Sequence, residues 1–200
     1  MKLLRIFALV LVSAVASHAL GDKTVFDTTP PPPVPNPRAA APLVIGMELG
    51  VNSLASLVGA RFSFYPIQQL ALDVGGGWSA AGMRGGVGLR YFLSKKFNSP
   101  FIGASWMRSG GVDSAELDDG DHAWNETEIS NLQFVNAIAG YEWRNSDGLV
   151  VGVSAGWSQC LTEEKDRYKV KGTLSGDAKD NLDLFTGSGP ILAFDVGYGF

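Results

Sequence analysis

The chain has 200 residues, 46% hydrophobic and 18% charged, which excludes both a disordered polyelectrolyte and a bundle of membrane helices. Its net charge of −4 argues against nucleic acid as a partner. The single cysteine, Cys160, excludes an internal disulfide framework or a cysteine-rich zinc site.

Residues 1–19 have the form of a signal peptide. Lys2 and Arg5 make a basic start, Ile6 to Ala16 an apolar run broken only by Ser13, and Ser17-His18-Ala19 a small-residue cleavage site. The apolar run is about half of the ~20 residues that a spanning helix needs. No cysteine near residue 20 offers a lipid attachment point, and removal of the signal leaves a net charge of −6. Residues 20–42 then form a proline-rich linker, with prolines at 30–33, 35, 37 and 42. Fixed φ and missing N–H groups make such a segment an extended spacer, or a ligand for a periplasmic partner.

From residue 43 the hydrophobic period is two. Ile45, Met47, Leu49 and Val51 alternate with Gly46, Glu48, Gly50 and Asn52; Val58, Ala60, Phe62 and Phe64 alternate with Gly59, Arg61, Ser63 and Tyr65. Leu70, Leu72, Val74 and Trp78 mark a third segment, and Val87, Leu89 and Tyr91 a fourth. Ile102, Ala104 and Trp106 give a fifth, less clean because Phe101 and Met107 fall on its other face. Val135 to Trp143, Val151 to Trp157 and Leu192 to Phe200 complete the set. Eight strands are therefore expected.

The two faces differ in kind. One is bulky and apolar; the other is Gly, Ser and charge, and carries Glu48, Arg61, Asp73, Arg84, Arg90, Glu142 and Asp195. A soluble barrel would enclose the apolar face. An interior of glycine and ions leaves the bulky face needing apolar surroundings, which a bilayer supplies. With the proline-rich start on the periplasmic side, Trp78, Trp106 and Trp157 fall at the outer ends of strands. Phe64, Tyr91, Tyr141, Trp143, Tyr198 and Phe200 fall at inner ends, so both headgroup levels gain an aromatic belt. Connections agree: the turns at 66–69, 94–99 and 144–148 are short and inner, while the long ones, 109–131 and 162–188, are outer. The expected fold is all-β, an eight-stranded antiparallel up-and-down transmembrane barrel over residues 43–200.

On this pattern, and on the terminal Phe194-Asp195-Val196-Gly197-Tyr198-Gly199-Phe200, the chain resembles the small outer-membrane barrel family typified by the OmpA transmembrane domain and OmpX. The resemblance implies an assembly signal at Phe194, Val196, Tyr198 and Phe200. It also implies transient partnership with the barrel-assembly machinery and periplasmic chaperones, and a location in the bacterial outer membrane among its lipid and lipopolysaccharide.

Chemistry is sparse. Asp73 is expected to lie between Arg61 and Arg90 in a lumen ionic network, with Glu48, Arg84, Glu142 and Asp195 nearby; this reads as a plug, or alternatively as a narrow ion path. Residues 113–128 hold seven acids and no Lys or Arg, but lack calcium-loop spacing, so a solvated acidic loop is expected. Glu163 to Lys171 mixes three acids with four bases, a solvated loop base or a strand rising above the membrane. His122, the sole histidine after signal removal, matches no nucleophile motif with Ser114 or Ser130. No catalytic, cofactor or metal site is expected. The functional expectation is a structural or surface-interaction role through the long outer loops, in envelope integrity, adhesion or partner binding. The alternatives are a narrow pore for ions or very small solutes and a lipid-modifying enzyme.

Overall fold

A computed structural model describes residues 37–118, 124–171 and 176–200. The expected signal peptide, most of the proline-rich stretch and His122 lie outside the described residues. In chain order the elements are α1 (Pro37–Ala40), β1 (Leu43–Val51), β2 (Val58–Ile67), β3 (Leu70–Ser79), β4 (Gly82–Phe92), β5 (Ser99–Ser109), β6 (Val112–Asp118), β7 (Trp124–Ile129), β8 (Leu132–Arg144), β9 (Leu149–Cys160), β10 (Tyr168–Lys171), α2 (Gly176–Thr186) and β11 (Gly189–Gly199).

The eight alternating segments are the eight strands of a closed antiparallel barrel, in the order β1-β11-β9-β8-β5-β4-β3-β2. The last strand closes it: Ile45 lies opposite Tyr198 and Leu49 opposite Phe194, so neither β1 nor β11 keeps a free edge. Phe194, Val196, Tyr198 and Phe200 occupy the outward positions of that seam strand, while Asp195 is buried between them. Strands of 9 to 13 residues suit the wall. At a rise of ~3.3 Å per residue and a tilt of about 40°, ten residues cover about 25 Å.

Alternation sorts the side chains as the two-residue period requires. Met47, Phe62, Val74, Val87, Ile102 and Leu192 are exposed on the outside, whereas Glu48, Arg61, Asp73, Arg90 and Asp195 are buried inside. Trp78, Trp106 and Trp157 lie exposed at the far end of the barrel. Phe64, Tyr91, Trp143, Tyr198 and Phe200 ring the end where the chain enters, with Tyr141 half-buried beside Trp143. Bulky apolar side chains thus coat the whole wall, far beyond the scattered exposure usual at a water-facing surface.

The interior is less uniformly polar than its small-residue pattern suggests. Val44, Tyr65, Ala71, Phe92, Phe101 and Val150 form one buried apolar cluster at the entry end. Ala81, Met107, Ile129, Leu132, Phe134, Cys160 and Leu182 form another at the far end. Phe101 and Met107, which break the alternation of β5, are inward residues of these two clusters. The charged groups lie chiefly between them. The Cys160 thiol is buried in the far cluster.

Beyond the far rim, β6 and β7 pair with β10 in a separate sheet, order β10-β7-β6. The described parts of the acidic stretch are thus two paired strands, β6 and β7. The mixed-charge segment supplies the third strand of the sheet, with Lys169 opposite Glu128 in register. Opposite charges at such positions favour that pairing.

Candidate functional site

The barrel lumen and its two mouths gather nearly every charged residue singled out in the sequence. Five arginines (38, 61, 84, 90 and 144) and four carboxylates (Glu48, Asp73, Glu142 and Asp195) are buried among the described residues. Charge in so dry a place persists only when paired and hydrogen-bonded.

Two ionic layers meet that condition. In the middle layer Arg61 donates to Glu48 at 2.8 Å and to Asp195 at 2.5 Å, bridging β2, β1 and β11. Toward the entry end Arg90 grips Asp73 with two bonds, 2.7 and 2.9 Å, and reaches Glu142 at 3.2 Å. Ser63 accepts from Arg90 Nη2 at 3.1 Å.

The expected arrangement, Asp73 between Arg61 and Arg90, holds in part: of the two arginines only Arg90 is hydrogen-bonded to Asp73, while Arg61 bonds Glu48 and Asp195. Register explains the split. Asp73 stands directly opposite Ser63 and Gly88, while Arg61 stands opposite Gly46 and Gly75. Strand stagger then carries the Arg61 side chain toward β1 and β11, where Glu48 and Asp195 are themselves paired in register.

Glu142 is the hub of the entry end. Its two oxygens accept from Arg38 Nε at 3.2 Å, Tyr65 Oη at 2.9 Å and Arg90 Nη1 at 3.2 Å, with Arg144 Nε at 3.8 Å. Arg38 comes from α1, at the end of the proline-rich stretch. It is wholly buried, lies 4.1 Å from the Phe92 ring centroid, and donates to the Lys96 carbonyl at 2.9 Å. The proline-rich segment, expected to be an extended spacer, therefore contributes its last residues to the inner fill. Pro42 O accepts from Tyr65 N, and Ala41 O from Arg144 Nη1. Nothing in the sequence distinguishes Arg38 from a solvated linker arginine, because its partners lie 104 and 58 residues away.

The far mouth is closed by two further pieces. The connection from β1 to β2 folds inward: Asn52, Ser53, Ala55 and Ser56 are buried, with Asn52 and Ser56 in left-handed backbone (φ 53° and 69°). Ala55 N donates to Glu48 Oε1 at 3.0 Å, tying this plug to the middle layer. Above it sits α2, with Leu182 and Thr186 buried. Its last carbonyls are met by cation and amide: Arg84 Nη2 donates to Phe185 O and Asn52 Nδ2 to Leu184 O. Positive charge at a helix C-terminus is favourable. Tyr168 Oη bonds Asp183 Oδ1 at 3.1 Å, which joins β10 to α2. Partial burial and the Asp183 carboxylate push that phenol above its ordinary pKa, so it stays a donor at neutral pH.

Arg84 therefore does not belong to the ionic network in which the sequence reading placed it. Among the described residues it has no carboxylate partner; it bonds Asn52 Oδ1 and Phe185 O and lies over the Phe134 ring. A contrast follows. Arg90→Met leaves Asp73 without its counter-charge and takes one of three donors from Glu142, and is expected to cost about 3–5 kcal/mol. Arg84→Met leaves no acid unpaired and is expected to fall within about 1 kcal/mol of wild type, or above it. Urea midpoints of the two folded variants in lipid vesicles test this; equal losses would refute the split.

Between Glu48, Arg61, Asp73, Arg90 and Asn136 the lumen holds a cavity of about 20 Å³. That volume admits one water-sized molecule. No group of three or more His, Cys, Asp or Glu among the described residues is placed to hold a metal.

No protein-family model matches the chain, and no curated protein matches it in sequence. The fold is similar to the crystal structure of Acinetobacter baumannii CarO, at 11% identity and a TM-score of 0.39, over 80% of this chain and 99% of that one. It is likewise similar to Acinetobacter baumannii CarO2, at 12% identity and a TM-score of 0.40, over the same shares of the two chains.

Proposed function

We propose that the chain is an integral outer-membrane barrel, closed to solutes, that serves as a structural anchor for a surface platform built on β6, β7 and β10. The inside-out wall supports membrane residence: an eight-stranded apolar exterior with two aromatic rings matches a bilayer's hydrocarbon and its two headgroup levels. In this reading the entry end faces the periplasm and the far end faces outward, as in OmpA- and OmpX-like barrels. Assembly through the Phe194–Phe200 strand, with chaperones and the barrel-assembly machinery as transient partners, belongs to the same proposal.

One observation carries the choice of anchor over pore: the lumen is filled by the chain's own groups from α1 through two ionic layers to the 52–57 plug and α2. The platform would act by contact, in envelope integrity, adhesion or partner binding. No catalytic role is part of this reading.

Planar-bilayer recording tests it. Purified, folded barrel is expected to leave conductance at the level of the bare bilayer, and a steady open channel would overturn the closed reading. The membrane reading has its own check in gel electrophoresis. Outer-membrane fractions are expected to yield a compact species that shifts on boiling; a boiling-indifferent, freely soluble chain would sink it. Deleting residues 113–128 is expected to abolish surface attachment while preserving the heat shift.

A further inference from the structure

We propose that the outward faces of β5, β8 and β9, at their far ends, hold the phosphorylated glycolipid of the outer leaflet, lipopolysaccharide, by its lipid A phosphate; the site rests on the outer-membrane reading above. Among the described residues, the outward face of the eight wall strands carries one charge, Arg108. Aromatic rings aside, it carries two further hydrogen-bonding side chains, Gln133 and Gln159. All three are exposed, at the same end of the barrel, on strands that neighbour one another in the order β9-β8-β5. Elsewhere the same rim turns Val58, Met83 and Pro190 outward.

Arg108 is left open to a ligand. It stands opposite Gly85 on one side and Gln133 on the other, and makes no hydrogen bond or ion pair among the described residues. A guanidinium facing lipid near the interface costs up to about 1 kcal/mol. A phosphate offsets that cost, because its oxygens accept two parallel bonds from the planar fork. The Gln133 amide is likewise unbonded among the described residues, while Gln159 donates from Nε2 to Cys160 O at 3.3 Å. Each glutamine thus keeps a carbonyl oxygen that can accept from a hydroxyl, a match for a sugar and of no use to a bare phosphate.

Depth selects a lipid over a soluble phosphate ester. Arg108 and Gln159 each lie two residues beyond an exposed tryptophan, Trp106 and Trp157. At the wall's tilt that is about 5 Å nearer the water than the ring marking headgroup level. Below the polar groups the wall is low: Ala104 faces Ala137 and Ala139 faces Ala155 in register. An acyl chain hanging from a sugar held at Arg108 can lie there close to the backbone.

The test uses the full chain folded in vesicles of phosphatidylethanolamine with minorities of lipid A and phosphatidylglycerol, extracted gently into detergent, with the retained lipid counted by mass spectrometry. Lipid A is expected to be enriched about five-fold over its bulk share, the weight of one cation at a membrane surface. Arg108→Gln is expected to return it to the bulk share, and Gln133→Ala to lower the enrichment about two-fold, the weight of a modest hydrogen bond. Lys95→Gln, the same change of charge at the other end, is expected to match wild type. Absence of enrichment in wild type, or its survival in Arg108→Gln, overturns the site. Loss in Lys95→Gln as well would reduce it to net charge. Phosphatidylglycerol enriched as strongly as lipid A would overturn the glycolipid, and dephosphorylated lipid A retained as strongly would overturn the phosphate. The gel heat shift is read on every sample. A heat-shifting wild type without enrichment removes only the lipid site, whereas a wild type without the shift removes the membrane reading beneath it.

Discussion

Glu142→Ala is expected to lower the stability of the folded barrel by about 3–5 kcal/mol, the usual cost of leaving buried cations without their counter-charge. The carboxylate is fully buried on β8 and serves three elements at once: Arg38 of α1, Tyr65 of β2 and Arg90 of β4. Its loss leaves Asp73 as the only acid bonded to Arg90 and removes the charge that holds Arg38 in the mouth. Two readouts separate these effects. The urea midpoint in lipid vesicles reports the whole barrel and is expected to fall. Trypsin reports α1: the bond after Arg38 is protected while that side chain is buried, and is expected to be cut within minutes in the variant. Glu142→Gln keeps an acceptor of the same shape without the charge, so its midpoint is expected between the other two. High salt is expected to leave the wild-type midpoint nearly unchanged, since screening acts weakly on pairs out of water. A Glu142→Ala barrel as stable and as trypsin-resistant as wild type would remove the hub from the account.

What the sequence made legible was the wall, and what it hid was the filling. A two-residue period, one bulky face and terminal aromatics are local properties, so β1 to β5, β8, β9 and β11 and their outward residues could be read directly. The identity of the inward charges was legible for the same reason. Their partners were not, because alternation says which face a residue takes and nothing about the stagger that decides who meets whom across a lumen. Arg61 illustrates this: its expected partner Asp73 lies on the neighbouring strand, yet it bonds Glu48 and Asp195. The plug was hidden by its composition. Asn52-Ser53-Leu54-Ala55-Ser56 reads as an ordinary polar turn, and its inward fold depends on glycines in other strands. Arg38 was hidden by its proline-rich setting. Helix α2 was hidden because Gly176 to Thr186 is polar over most of its length, with Leu182 as its single buried large apolar residue.

Gly77→Val is expected to dislodge the plug, and the barrel is expected to stay shut. Gly77 and Gly59 face each other across β2 and β3, both turned inward. A Cβ on Gly77 would come within 2.2 Å of Ala55 O and of Val58 O, both backbone atoms, so a flexible side chain cannot absorb the clash. The plug must move or the strands must part, a strain of about 1–3 kcal/mol on overpacking grounds. Moving the plug also forfeits the bond from Ala55 N to Glu48 and withdraws Leu54 from its seat against Gly75. Yet the ionic layers beneath remain, and an eight-stranded barrel is about as wide as its own side chains. Conductance of Gly77→Val is therefore expected to equal that of the bare bilayer. Adding Arg61→Ser, Asp195→Ser and Glu48→Gln removes the three charges of the middle layer and shifts the net charge by one. The combined variant is expected to stay shut behind the Arg90–Glu142 layer, and neutralising that layer as well is expected to open a continuous path. An open channel in Gly77→Val alone would identify the plug as the sole seal and contradict the order of resistances derived from the lumen.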